Sequence, residues 1–151
     1  MLRDLTFTLI SEGCYEIMKG EVMDIFLFLM LLMLGHWIGD FVLQSDRIAL
    51  GKSEQAHILA EHCLVYSGVM GLYLFLIGAG NIPIVMLGMF YLWMFFTHFA
   101  IDFVTARANK KLWMNNQRHW FFVMVGFDQF LHMCTILIYI KMMIATGVKI
   151  G

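Results

Sequence analysis

The stretch IVMLGMFYLWMFFTHFAIDFV, residues 84–104, decides the fold of this chain. It is apolar apart from a few side chains, and it can cross the roughly 30 Å of hydrocarbon in a bilayer, which takes about 20 helical residues. Pro83, the single proline, precedes it at a position that suits the start of a helix. The pattern predicts a transmembrane helix.

Three further apolar runs of similar length flank this stretch, at residues 25–43, 58–77 and 120–144. None of them alternates between apolar and polar side chains as a half-buried strand does. Only helices and closed barrels satisfy their backbone hydrogen bonds in lipid. The sequence therefore predicts an all-α fold, a polytopic membrane protein with a bundle of four transmembrane helices.

The composition supports a chain that resides in lipid. Hydrophobic residues make up 61% and charged residues 14% of the 151 residues, against about 45–50% and about 25% in soluble domains. The lipid bilayer is therefore the first expected partner. A net charge of −1 gives no electrostatic basis for binding nucleic acid. Three cysteines without regular spacing do not indicate a disulfide framework.

The loops predict an orientation. Loops 44–56 and 105–119 share one side of a four-span bundle, and together they hold six Lys and Arg residues, against four on the other side. The positive-inside rule places these loops in the cytoplasm and both termini outside. The six cations are Arg47, Lys52, Arg107, Lys110, Lys111 and Arg118.

Residues 1–22 precede the transmembrane domain, 23–151. Leucines on one stripe of an otherwise polar segment predict an amphipathic helix on the membrane surface. Alternatively, residues 1–22 are an extension and translation starts at Met23, because Lys19-Gly20-Glu21 can be encoded by a purine-rich ribosome-binding sequence.

Ionisable side chains recur inside the spans at a fixed spacing. Such groups cost about 2.5–3.5 kcal/mol at the middle of a membrane helix, so we expect them to meet partners. Three spans carry a His and an Asp four residues apart, which places both on one helical face. The pairs are His36 and Asp40, His98 and Asp102, and Asp128 and His132; the remaining span carries Glu61 and His62.

These residues also share a depth. Because chain direction alternates between spans, all of them fall in the half of the bundle that faces the two basic loops. Most lie about 5–12 Å from that end at about 1.5 Å per residue. We expect them to converge on one pocket.

Imidazole nitrogen and carboxylate oxygen together favour zinc, with iron or manganese as alternatives. Two ions bridged by carboxylates and one zinc ion with supporting aspartates are both compatible with the pattern. The predicted ligands are His36, Asp40, His62, His98, Asp102, Asp128 and His132. Asp40, Asp102 and Asp128 are also candidate bases, with Glu61 in reserve, and Gln44 and Gln129 are candidate hydrogen-bonding groups.

The leading functional hypothesis is a metal-dependent hydrolase that acts on a lipid or a phosphate-bearing amphiphile at the cytoplasmic leaflet. A second hypothesis is a non-enzymatic protein in which the polar cluster locks the bundle and the outer faces bind another membrane protein, so that a phage or host envelope is modified. A third is passage of protons or metal ions.

The motif blocks resemble a known family, the small membrane proteins of domain-of-unknown-function family 3307 from bacteria and phages. Its signature is His-x-x-x-Asp-Phe-x-x-Gln, then a His, then His-x-x-x-Asp, then Asp-Gln-x-x-His. The matching residues are His36, Asp40, Phe41, Gln44, His62, His98, Asp102, Asp128, Gln129 and His132. The resemblance spans about residues 23–144 and implies the bacterial inner membrane, but it implies no activity.

Overall fold

The computed structural model describes residues 25–78 and 82–148. Its helices are α1 (Ile25–Val42), α2 (Asp46–Gly51), α3 (Ala56–Ile77), α4 (Ile84–Met114) and α5 (Arg118–Ala145). All but α2 are long and apolar enough to cross a membrane. These ranges contain no strand. The predicted all-α membrane bundle is therefore confirmed, whereas the expected surface helix at 1–22 and the alternative start lie outside the described residues.

Helix α4 continues well beyond residue 104, where the sequence pattern placed the end of the span. Residues 105–114 contain no glycine or proline and are rich in Ala, Lys and Arg, which favour helix. The helix ends where Asn116 takes a positive φ of 58°, a conformation that asparagine tolerates. Much of the expected loop 105–119 is therefore helical, and short helix α2 lies within the other expected loop.

The last turn of α1, Ile38–Val42, is a π-helix. The backbone N–H of Leu43 donates to the carbonyl of Ile38 at 3.0 Å, across five residues instead of four. Such a turn inserts one extra residue into the helix, and π turns are frequent at functional sites. It changes the direction in which Asp40 points relative to His36.

Apolar side chains fill the bundle at the end away from α2. On every long helix these core residues lie beyond the polar cluster, measured from the α2 end. Fully buried members are Leu32, Met70, Leu74, Phe90, Met94 and Ile136. Large apolar side chains such as Phe96, Phe122 and Phe130 are instead exposed on the outer faces, as expected of residues that contact lipid.

Gly35 and Gly39 allow α1 to approach α3 closely. A Cβ atom at Gly35 would lie 2.7 Å from Cγ of Tyr73, and one at Gly39 would lie 3.2 Å from the ring of Tyr66. The small residues spaced four apart therefore serve helix packing.

We expect Gly35→Ala to destabilise the bundle by about 1–3 kcal/mol, because the base of the Tyr73 ring must move to admit the methyl group. Gly68→Ala is the matched control: nothing lies within 4 Å of its added Cβ, so the change gains helix propensity. Denaturant unfolding in one detergent would measure both variants. Equal stability of the two would contradict this account of the interface.

Candidate metal centre

Six ionisable side chains from the four long helices are buried together near the α2 end of the bundle. Each is at most 4% exposed. They are His36, Asp40, His62, His98, Asp102 and His132. The expectation of a buried His/Asp cluster, which rested on spacing and depth alone, is confirmed.

One group of four residues has the spacing of metal ligands. Asp40, His62, His98 and Asp102 each offer a ligand atom, and all four atoms lie within 4.8 Å of one another. Nε2 of His62 lies 3.1 Å from Oδ1 of Asp40 and 3.0 Å from Nε2 of His98. Tetrahedral zinc with bonds of about 2.0–2.1 Å separates its ligands by about 3.3 Å.

The remaining separations in this group are similar. Nε2 of His98 lies 3.5 Å from Oδ1 of Asp40, and Oδ2 of Asp102 lies 3.7 Å from Nε2 of His62 and 3.6 Å from that of His98. Two imidazoles and two carboxylates on three helices thus face one common point. The donor set and its geometry fit one divalent cation.

A second group, Asp40, Asp128 and His132, adjoins the first. Nε2 of His132 lies 3.1 Å from Oδ1 of Asp102 and 3.6 Å from Oδ1 of Asp128. Asp102 therefore directs Oδ2 to the first group and Oδ1 to His132. Asp40 is the residue common to both groups, so the two groups together offer ligands for one ion or for two neighbouring ions.

His36 belongs to neither group. Its Nε2 lies 2.9 Å from Oε1 of Gln129 and its Nδ1 lies 3.0 Å from the Tyr66 hydroxyl. Because an amide oxygen only accepts, Nε2 of His36 carries the proton, and in the neutral ring Nδ1 accepts from Tyr66. Gln129 in turn donates to Oδ2 of Asp40 and Oδ2 of Asp128, both at 3.0 Å. His36 is thus linked to Asp40, a member of both groups, through hydrogen bonds to Gln129.

Two other residues singled out from the sequence lie apart from the cluster. Glu61 is exposed and pairs with Arg47, because adjacent residues on a helix point about 100° apart and His62 faces the bundle interior. Gln44 is half-buried, and its Oε1 has no hydrogen-bond partner.

A family model described as "Protein of unknown function (DUF3307)" matches residues 28–150. The chain belongs to the DUF3307 family. The match includes every residue of both ligand groups and confirms the resemblance seen in the motif blocks. No curated protein and no solved structure matches this DUF3307 chain.

Stacked rings orient the histidines of this DUF3307 protein. The Tyr66 ring lies 3.9 Å from that of His98 at 24°, and the His98 ring lies 4.2 Å from that of His132 at 23°. Nδ1 of His98 and Nδ1 of His132 have no hydrogen-bond partner. In many metal sites a hydrogen bond at that nitrogen fixes the ligand; here stacking fixes the ring planes.

Besides Tyr66, sequence reasoning missed two polar contributors in the DUF3307 chain. Lys52, in the loop between α2 and α3, donates from Nζ to Oδ2 of Asp102 at 2.7 Å. The Thr105 hydroxyl lies 2.5 Å from Oδ1 of Asp128. Loop lysines carry no periodic signal, so the sequence distinguishes Lys52 only as one of the charges that set topology.

Lys52 is the cation of this centre. Burial lowers the pKa of Lys52, but the carboxylates of Asp102 and Asp40 outweigh burial, so that the net pKa lies above the usual lysine value. The ammonium group therefore remains charged and partly neutralises the aspartates. Its contact with Asp102 also ties the α2–α3 loop to the membrane-embedded cluster.

Proposed function

We propose that this protein is a metal-dependent hydrolase embedded in the membrane, acting on a lipid or a phosphate-bearing amphiphile at the cytoplasmic leaflet. The observation that carries the proposal is the convergence of Asp40, His62, His98 and Asp102 at ligand spacing. Ionisable groups in a membrane interior are costly, and they commonly mark a functional site.

In this proposal the cluster consists of metal ligands and one general base. His62, His98, His132, Asp40 and Asp102 would hold one or two ions, with zinc the preferred metal and iron or manganese as alternatives. Such ions lower the pKa of water and stabilise charge that develops on a phosphoryl oxygen.

Asp128 is the best-placed base in the cluster. Its side chain is 13% exposed, against 4% for Asp40 and 2% for Asp102. A water molecule can therefore reach this carboxylate more readily than it can reach Asp40 or Asp102. Gln129 and Thr105 orient it through hydrogen bonds.

We expect wild-type protein, purified without chelators, to retain at least one divalent ion per chain, and His62→Ala to lose most of it because one of four ligands is gone. His57→Ala is the control, since His57 lies on the same helix but is exposed and outside both groups. Elemental mass spectrometry would measure metal per chain.

Two results would contradict the proposal. One is wild-type protein with far less than one ion per several chains, together with no further loss in His98→Ala. The other is equal loss of metal in His57→Ala and His62→Ala, because surface histidines would then account for the bound ions.

One observation favours the structural alternative. The cluster already satisfies its own polar groups: the Lys52 ammonium contacts Asp102, and His62 and His132 lie within hydrogen-bonding distance of Asp40 and Asp102. If the cluster has only a structural role, an Asp40→Asn variant should fold, bind no less metal than the wild type, and have the same effect on the envelope. Loss of phenotype in a folded Asp40→Asn variant would favour chemistry or ion binding.

A further inference from the structure

A cavity of about 540 Å³ lies beside the metal centre, between the α2–α3 region and the last turns of α4. We call it the loop pocket. The residues that line it include Leu50, Lys52, Glu54, Lys110, Trp113 and Phe121.

Lys52 belongs to both the loop pocket and the cluster. Its side chain is 16% exposed, lines the cavity, and places Nζ 2.7 Å from Oδ2 of Asp102. A ligand in the pocket can therefore contact the same ammonium group that touches the candidate ligand Asp102. The pocket is thus joined to the centre by one side chain.

The charges of the pocket suit an anion. Lys52 and Lys110 both line it, and a second cavity that also includes Lys110 is lined by Arg107 and Lys111. Glu54, which also lines the loop pocket, pairs with Lys110. The hydrogen bond and the charge of Lys110 lower the pKa of Glu54, so its carboxylate remains ionised and competes with any anionic ligand.

The rest of the pocket suits an acyl chain. Leu50, Trp113 and Phe121 present apolar surface, with Leu50 77% and Trp113 50% exposed. The guanidinium of Arg118 lies 3.5 Å from the centroid of the Trp113 ring. A tryptophan beside basic residues at the end of an apolar helix is typical of the membrane–water boundary, where a headgroup meets its chains.

We propose that the loop pocket binds a phospholipid with an exposed phosphate monoester, its phosphate between Lys52 and Lys110 and its chains against Leu50, Trp113 and Phe121. A monoester carries about −1.5 to −2 charges at pH 7, which matches two lysines. If the bound lipid is the substrate, the pocket depends on the proposed function, and Lys52 positions the phosphate at the candidate metal centre. Binding of the lipid itself does not depend on hydrolysis.

Native mass spectrometry of detergent-solubilised protein titrated with phosphatidic acid, or with phosphatidylcholine of the same chains, tests this proposal. We expect one phosphatidic acid per chain to bind in preference to phosphatidylcholine. Lys110→Gln should reduce that preference about fivefold to tenfold. Glu54→Gln should increase it severalfold, because it frees Lys110 and removes a competing carboxylate.

Lys141→Gln is the matched control, since it removes the same charge at the opposite end of α5 and should leave the preference unchanged. Lys52→Gln should weaken binding, and Lys52→Arg should restore most of it, because the charge rather than the side-chain shape is required. Inorganic phosphate at equal concentration should not compete, because it lacks chains.

Three results would overturn the proposal: no preference for phosphatidic acid, equal loss in Lys141→Gln and Lys110→Gln, or full competition by inorganic phosphate. Metal content measured on the same samples separates the two proposals. Metal-free protein that still prefers phosphatidic acid would contradict only the proposal of a metal-dependent hydrolase. Metal-loaded protein without that preference would contradict only the proposal that the loop pocket binds the lipid.

Discussion

Asp102→Asn is expected to lower the free energy of unfolding by about 3–5 kcal/mol, the usual consequence of removing one partner from a buried ion pair. Asp102 is 2% exposed and contacts Lys52 through Oδ2 and His132 through Oδ1. Asparagine has nearly the same shape but leaves the Lys52 ammonium without its nearest counter-charge in a largely dehydrated site.

The second substitution Lys52→Gln should recover a large part of this loss, because the unpaired charge is then gone. A double-mutant cycle would isolate the coupling between the two side chains. Unfolding should be followed with a chelator present, because bound metal would add its own stabilisation to the wild type.

The exposed pair Arg47 and Glu61 provides the control. Glu61→Gln should change the free energy of unfolding by less than about 1 kcal/mol, as is usual for surface ion pairs. Asp102→Asn with stability close to that of Glu61→Gln would show that the Lys52 contact is absent in the membrane.

For the proposed hydrolase, Asp128→Asn is expected to reduce release of phosphate from phosphatidic acid by about 10²–10⁴-fold, the usual contribution of a general base. The first ligand group does not include Asp128, so this variant should keep its fold and an ion bound there. Release of phosphate from mixed micelles, with metal content measured in parallel, would test it.

Glu61→Gln is also the control for this experiment, because its carboxylate lies outside the cluster and pairs with Arg47. It should retain wild-type activity. Comparable losses in Glu61→Gln and Asp128→Asn, or full activity in Asp128→Asn, would exclude Asp128 as the base.

The sequence predicted the bundle and its buried cluster because both depend on periodicity. A run of apolar residues indicates each span, and position along antiparallel helices indicates depth. These two patterns together predict that His62, His98 and Asp102 lie close to one another. The solvation cost of each charge in lipid supplies the physical reason for their convergence.

Other parts of the centre depend on geometry that periodicity does not encode. His36 and Asp40 lie four residues apart, like the other two His/Asp pairs, but a π turn includes Asp40, and only Asp40 belongs to the ligand groups. Lys52 approaches from a loop whose path depends on how α2 packs on α3. The sequence identifies Gln129 as a candidate hydrogen-bonding group, but it does not predict that Gln129 lies between His36 and Asp40.

The π turn of α1 accommodates one residue more than the α turn that it replaces. Loss of one residue between 38 and 42 would therefore restore an α turn and leave the apolar stripe before it facing inward. Loss of one residue from the α-helical part, residues 25–37, would instead rotate that stripe by about 100° relative to Asp40. Single-residue deletions should therefore be tolerated better within the π turn than in the helix before it.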